Sequence, residues 1–143
     1  MKRYLPLMLV TAAVACSSSG GSTPSTTAPS NTAPRAPTVD TFSGTVPVGG
    51  SDSHSFVVAL SNGQLTATLT AAGPPPTVQM GFGIGSPVNG VCTVTASATY
   101  IGPAGSTPQL SGTGVAGGSY CVLVYDAGGQ SAEVTYTAVV THY

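Results

Sequence analysis

Charge is nearly missing from this chain: three Lys and Arg and four Asp and Glu stand in 143 residues. Lys2 and Arg3 lie at the very start, so beyond them Arg35 is the only strong cation, set against Asp40, Asp52, Asp126 and Glu133. Such a chain cannot neutralise a phosphate backbone, which excludes nucleic acid as a partner and equally excludes electrostatic attachment to anionic lipid. Tryptophan is absent, and with it the buried ring of an immunoglobulin sandwich. No Cys-x-x-Cys occurs and the histidines are only His54 and His142, so a zinc centre lacks a donor set. No cofactor is implied. The apolar stretch over residues 5–14 is too short to span a bilayer as a finished helix.

That stretch has another use. Behind Lys2 and Arg3 it ends in Ala13-Val14-Ala15-Cys16, where small residues suit a signal peptidase and the cysteine is placed to become a new, lipid-bearing N-terminus. Residues 1–15 therefore read as a lipoprotein signal peptide and Cys16 as the lipidation site, which expects a protein anchored through its N-terminal lipid at a bacterial cell envelope, outside the cytoplasm. The same Ala-x-Ala also fits ordinary secretion, and Ala13 stands where a lipobox usually carries leucine. Residues 16–38, rich in Ser, Thr and Pro with nothing large to bury, read as a tether reaching roughly 25 to 70 Å.

Of three cysteines, Cys16 serves the anchor and Cys92 and Cys121 remain. In an oxidising compartment these two are expected to form a disulfide. Residues 39–143 suffice for one core and not for two. Nineteen glycines and twelve prolines, with abundant Thr and Val, indicate strands and turns. Alternation marks strands near 40–46, 53–60, 64–70, 77–84, 91–98, 108–115, 120–125 and 133–142, with breaks at sites including Ser86-Pro87. The expected fold is all-β, an antiparallel two-sheet β-sandwich of about eight strands, jelly-roll-like. Asn62-Gly63 suits a type I′ hairpin turn, which would set Leu60 opposite Leu65, Val58 opposite Ala67 and Phe56 opposite Leu69, leaving a face of mostly threonine on the other side.

The runs Thr41-Phe42-Ser43-Gly44-Thr45-Val46, Ser53-His54-Ser55-Phe56-Val57-Val58, Gly63-Gln64-Leu65-Thr66-Ala67-Thr68-Leu69 and, from Ala116, Gly117-Gly118-Ser119-Tyr120-Cys121-Val122-Leu123-Val124-Tyr125-Asp126 resemble the bacterial pre-peptidase C-terminal domain. That family is similar to clostridial collagen-binding domains. The resemblance covers nearly all of residues 39–143 and implies a secreted β-sandwich module, a fold and a compartment more than an activity.

Candidate chemistry is sparse. Asp52 and His54, two apart on a strand, point to one side and with a serine would suggest a hydrolase triad, but no Gly-x-Ser-x-Gly elbow accompanies them. Asp40, Asp52, Asp126 and Glu133 are the calcium candidates, since relatives of the collagen-binding type bind calcium, yet they form no regular ligand loop. Gly81-Phe82-Gly83-Ile84-Gly85 has neither the helix nor the lysine of a phosphate loop, so its alternate glycines are expected to permit close sheet contact or a bend. Tyr100, Tyr125 and Tyr136 are the candidates for an aromatic binding platform. No catalytic residue is assigned. The expected function is non-catalytic binding of a protein or glycan at the envelope. A structural envelope protein is the alternative, favoured by a Thr- and Ser-coated surface as a contiguous exposed tyrosine patch would favour binding; an accessory domain of an exported hydrolase comes third.

Overall fold

Apolar residues at every second position can be buried only if two sheets turn those faces toward each other. A computed structural model describes residues 35–143 apart from residue 60, and the side chain of residue 114 is likewise undescribed. Cys16, the signal and most of the tether lie outside the described residues. The strands are β1 (Thr38–Val46), β2 (Ser51–Val58), β3 (Gly63–Gly73), β4 (Met80–Val88), β5 (Val91–Gly102), β6 (Leu110–Val115), β7 (Gly118–Asp126) and β8 (Val134–His142). They form two four-stranded antiparallel sheets in the orders β1-β8-β3-β6 and β2-β7-β4-β5. This is the jelly-roll order, in which the chain changes sheet at every connection except β4 to β5. Val46, Leu69, Met80, Phe82, Val122, Val124, Val134 and Val140 are fully buried between the sheets.

The hairpin expected at Asn62-Gly63 is not formed. β2 pairs with β7, placing Phe56 opposite Tyr120, while β3 pairs with β8 and β6. Asn62 does adopt a positive φ of 64° and donates its N–H to the Val115 carbonyl at 2.7 Å, but the segment is a corner between sheets. Phe56, Val58, Leu65, Ala67 and Leu69 are buried as their parity requires. A hairpin and a corner bury the same alternate residues, one side by side and the other face to face, so alternation does not separate them. The two-residue hairpin belongs to Asn89-Gly90, with φ of 51° and 81°, between paired Val88 and Val91. Ser86-Pro87 is no break. Pro87 lies beyond Gly85, where the β4–β7 ladder stops, so the strand there has one neighbour and tolerates the missing N–H.

β4 explains its own glycines. Phe82 is buried in the core, while Gly81, Gly83 and Gly85 face the opposite way. A Cβ on Gly81 would overlap the Tyr125 ring, and one on Gly85 would overlap the Thr93 backbone carbonyl. The bare stripe lets β5 fold over β4. Cys92 of β5 and Cys121 of β7 are thereby disulfide-bonded with Cα atoms 5.7 Å apart, although strands on either side of a third are separated by roughly 9.5 Å in a flat sheet.

The outer face of the first sheet mixes hydroxyls with valines. Ser43 and Thr45 of β1 pair with Thr137 and Thr135 of β8, Thr41 lies opposite Val139 and exposed Val39 opposite Thr141, and Thr66 of β3 continues the surface while Thr68 is buried. A bulge between Leu69 and Ala71 leaves Thr70 outside the ladder, where its hydroxyl donates to the Thr137 carbonyl at 3.1 Å.

Candidate functional site

β1 and β2 are edge strands of opposite sheets, and aromatic and ionisable side chains occupy the margin between them. The His54 ring stacks on Phe42 at 5.1 Å and 11°, Phe42 approaches Phe56 at 6.3 Å, and Phe56 touches both His142 and Tyr120. Asp52 Oδ2 accepts the Tyr136 hydroxyl at 2.9 Å and lies 3.6 Å from His54 Nε2. Asp40 Oδ2 lies 2.9 Å from Nε2 of the buried His142. Two-residue spacing thus does bring Asp52 and His54 together. Their third partner is Tyr136, however, and among the described residues no serine hydroxyl is hydrogen-bonded to either histidine.

Tyr136 is a fixed neutral donor. Burial raises its pKa above the ordinary phenol range, and the Asp52 hydrogen bond and negative charge raise it further. Gly44 makes room for this contact: a Cβ there would overlap the Asp52 carboxylate and crowd the Tyr136 hydroxyl. The pairs Asp52–Tyr136 and Asp40–His142 are separated by 84 and 102 positions, so no local pattern announces them.

The four acids are not brought together. Among the described residues no three of His, Cys, Asp and Glu gather as a metal site. Asp126 is occupied by backbone donors, with Oδ2 accepting the Gly49 N–H at 2.8 Å and Oδ1 accepting those of Gly128, Gly129 and Gln130. It ties the β1–β2 turn to the β7–β8 loop, and Glu133 stands exposed just before β8. The Gly49 bond is the largest cause of the depressed Asp126 pKa. A depressed pKa means that stability from Asp126 is complete above the ordinary carboxylate value of 3.8 and is lost as pH falls through the folded-state value. Asp126→Asn turns an N–H toward Gly49 or loses the set at Gly128–Gln130. We expect a lower melting temperature at neutral pH and a shallower decline below 3.8 than in wild type, checked by thermal melts across pH.

The three candidate tyrosines share no surface. Tyr136 is buried in β8; Tyr100 turns inward on β5 opposite Phe82 and donates to the Pro103 carbonyl; Tyr125 is on the outer face opposite Gly81. Tyr100 and Tyr125 fall on adjacent rows of one sheet, which puts them on opposite faces.

The other side of the sandwich differs from the β1–β2 margin. Edge strands β5 and β6 leave a cleft of about 370 Å³, floored by Leu65, Ile84, Leu110, Val115 and Tyr120 and rimmed by Ser97, Thr99 and Ser111. Its end is fixed by Gln109, whose Oε1 accepts the Leu69 N–H at 2.7 Å and whose Nε2 donates to the Leu69 carbonyl. One margin is closed by rings, the other open with apolar groups at its base. Sequence reasoning did not find this cleft, because its lining comes from five strands and the Gln109 segment. A second cavity, about 460 Å³, lies between segments 74–79 and 127–132 at one end of the sandwich.

No protein-family model matches the chain, that of the pre-peptidase C-terminal domain included, and no curated protein matches it. Among solved structures it is similar to PliG of Aeromonas hydrophila, a periplasmic inhibitor of g-type lysozyme, at 14% identity over 73% of this chain and 86% of that one, with a TM-score of 0.47.

Proposed function

We propose that this protein is a non-catalytic, lipid-anchored binding module of a bacterial envelope, with residues 1–15 as signal peptide, Cys16 as the lipidated residue, residues 16–38 as tether and residues 39–143 as the binding domain. The β5–β6 cleft carries the reading of function. Its volume lies in the range of ligand sites, and an apolar base with a hydroxyl rim suits a partner that offers an uncharged apolar group from a protein or a glycan. The Cys92–Cys121 disulfide supports export, since such bonds persist in oxidising compartments. Fatty-acid labelling of wild type against Cys16→Ala tests the anchor.

For the cleft, Ser97→Trp fills the opening from an exposed rim position. We expect a defined component of an envelope extract to be retained by wild type and by Thr41→Trp, on the outer face of the first sheet, and to be lost with Ser97→Trp by at least about tenfold, or 1.4 kcal/mol. Equal retention by all three proteins, or none by wild type, refutes the assignment. The Ser43, Thr45, Thr135 and Thr137 patch of the outer face favours the second reading, a structural envelope protein whose surface is solvated and has no dedicated ligand.

A further inference from the structure

The two ends of the sandwich differ in charge and in apolar exposure. At one end Thr38 opens β1 beside His142, which in turn lies beside Leu65 near the start of β3. β2 closes there too, since Val58 pairs with Gly118 and the Ser61 hydroxyl accepts the Gly117 N–H. β7 starts at Gly118 and meets Gly85 at Cys121, so β4 continues past Gly85 toward this same end before turning into β5 at Asn89-Gly90. Acidic side chains collect at the opposite end: Asp52 pairs with Val124, Asp126 closes β7, and Glu133 precedes Val134, the partner of Val46. Of the four acids the first end keeps Asp40, whose carboxylate lies against buried His142.

Exposed apolar surface runs the other way. Among the described residues six large apolar side chains are more than half exposed, and four of them, Val39, Val57, Val88 and Val91, stand at the end where β1 begins. Val88 and Val91 pair directly across the two-residue turn, 51% and 66% exposed, with Pro87 beside them. Residues 86–88 pair with β5 alone, so the hairpin projects past the sheet from a base held by the Cys92–Cys121 bond. No charged side chain occurs from residue 86 to 94. An uncharged apolar tip is poorly solvated by water and well matched to a lipid interface. The remaining chain says which surface this end meets. It joins the domain just ahead of Thr38, and under the reading proposed above it leads back to a lipidated Cys16 through a tether that reaches roughly 25 to 70 Å.

We propose that the β4–β5 hairpin tip is a membrane-contact site, with Pro87, Val88 and Val91 seated among the headgroups of the bilayer that carries the anchor. The proposal rests on lipidation at Cys16 and goes beyond it, since an anchor on a tether leaves the domain free to turn. The contact is apolar and not electrostatic. It stays at the headgroup level, because hydrocarbon would leave the unpaired backbone groups of an edge hairpin without partners. Asp52, Asp126 and Glu133 then stand at the end away from the lipid.

The chain has no tryptophan, so Val91→Trp supplies a single reporter. The mature protein, expressed with its own signal, is reconstituted in neutral phosphatidylcholine vesicles. Lipids brominated along the acyl chain should quench Val91→Trp at least about twofold more strongly than Ile101→Trp, and place its indole roughly 5 to 10 Å below the surface. Ile101 is equally exposed at the opposite end, so the comparison cancels the affinity of tryptophan itself for the interface. Adding Val88→Asp should abolish the excess quenching, whereas Val48→Asp, the same charge at the far end, should preserve it; thermal midpoints check the fold of both. Flotation of the same samples reports the anchor separately. Protein that floats with both reporters quenched alike, or with Val88→Asp folded and without effect, overturns the proposal and leaves the anchor standing. Protein left behind by floating vesicles refutes the anchor and the proposal with it. In Cys16→Ala protein without vesicles, a shift in Val91→Trp emission that grows with protein concentration assigns the tip to a second copy and overturns the proposal as well.

Discussion

Replacing Cys92 and Cys121 together by alanine is expected to lower the unfolding free energy by about 2 to 5 kcal/mol. The bond closes a loop with a sequence separation of 29, for which the chain-entropy relation gives about 3.5 kcal/mol. Packing adds to this, since Cys121 is 2% exposed and its sulfur fills space over β4. Against a net stability of roughly 5 to 15 kcal/mol for a domain, the loss is large. Urea unfolding of wild type with and without reductant provides the comparison, and the reduced wild type, which keeps both sulfurs and their packing, should lose somewhat less than the double variant. A midpoint unmoved by both treatments would show that the fold of β5 over β4 stands without its crosslink.

Gly85→Ala should cost about 2 to 3 kcal/mol and slow formation of the same disulfide. The added methyl meets the Thr93 carbonyl, which is backbone and cannot rotate aside. To make room, β5 must lift away from β4, and Cys92 moves with it. Gly81→Ala meets the Tyr125 ring, a side chain with room to turn outward, and should cost less. Gly129→Ala meets nothing within 4 Å and is the neutral control. Urea midpoints and the rate of free-thiol loss after reduction measure both effects. Equal stability of the Gly85 and Gly129 variants would contradict the close approach at β4.

Alternation was legible because burial on one face imposes it residue by residue, and strands occur in all eight expected regions. The two-sheet, eight-strand sandwich was legible from composition and element count, and the cysteine pair from parity and compartment, but the strand order was not, since the expected hairpin would have put β2 beside β3. Sheet membership was not legible at Asn62-Gly63, since the dipeptide satisfies its own positive φ in a corner as well as in a hairpin; Asn89-Gly90 carries the same dipeptide signal and does form the hairpin. The glycines of β4 could be read as sites of close approach, but what approaches, Tyr125 and Thr93, depends on pairing. Asp52 and His54 were legible as neighbours through two-residue spacing. Their tie to Tyr136, the pairing of Asp40 with His142 and the open β5–β6 margin arise from contacts between distant strands, where sequence carries no periodic trace.

Hydrogen–deuterium exchange of the full-length protein, measured with and without an envelope extract, tests the proposed binding surface most directly. Exchange should slow in peptides spanning β5 and β6, around Ser97, Thr99, Leu110 and Ser111, and stay unchanged along β1 and the outer face of β8. Protection confined to β1 and β8, or no protection anywhere, would contradict the assignment of the β5–β6 cleft as the place where this protein holds its partner.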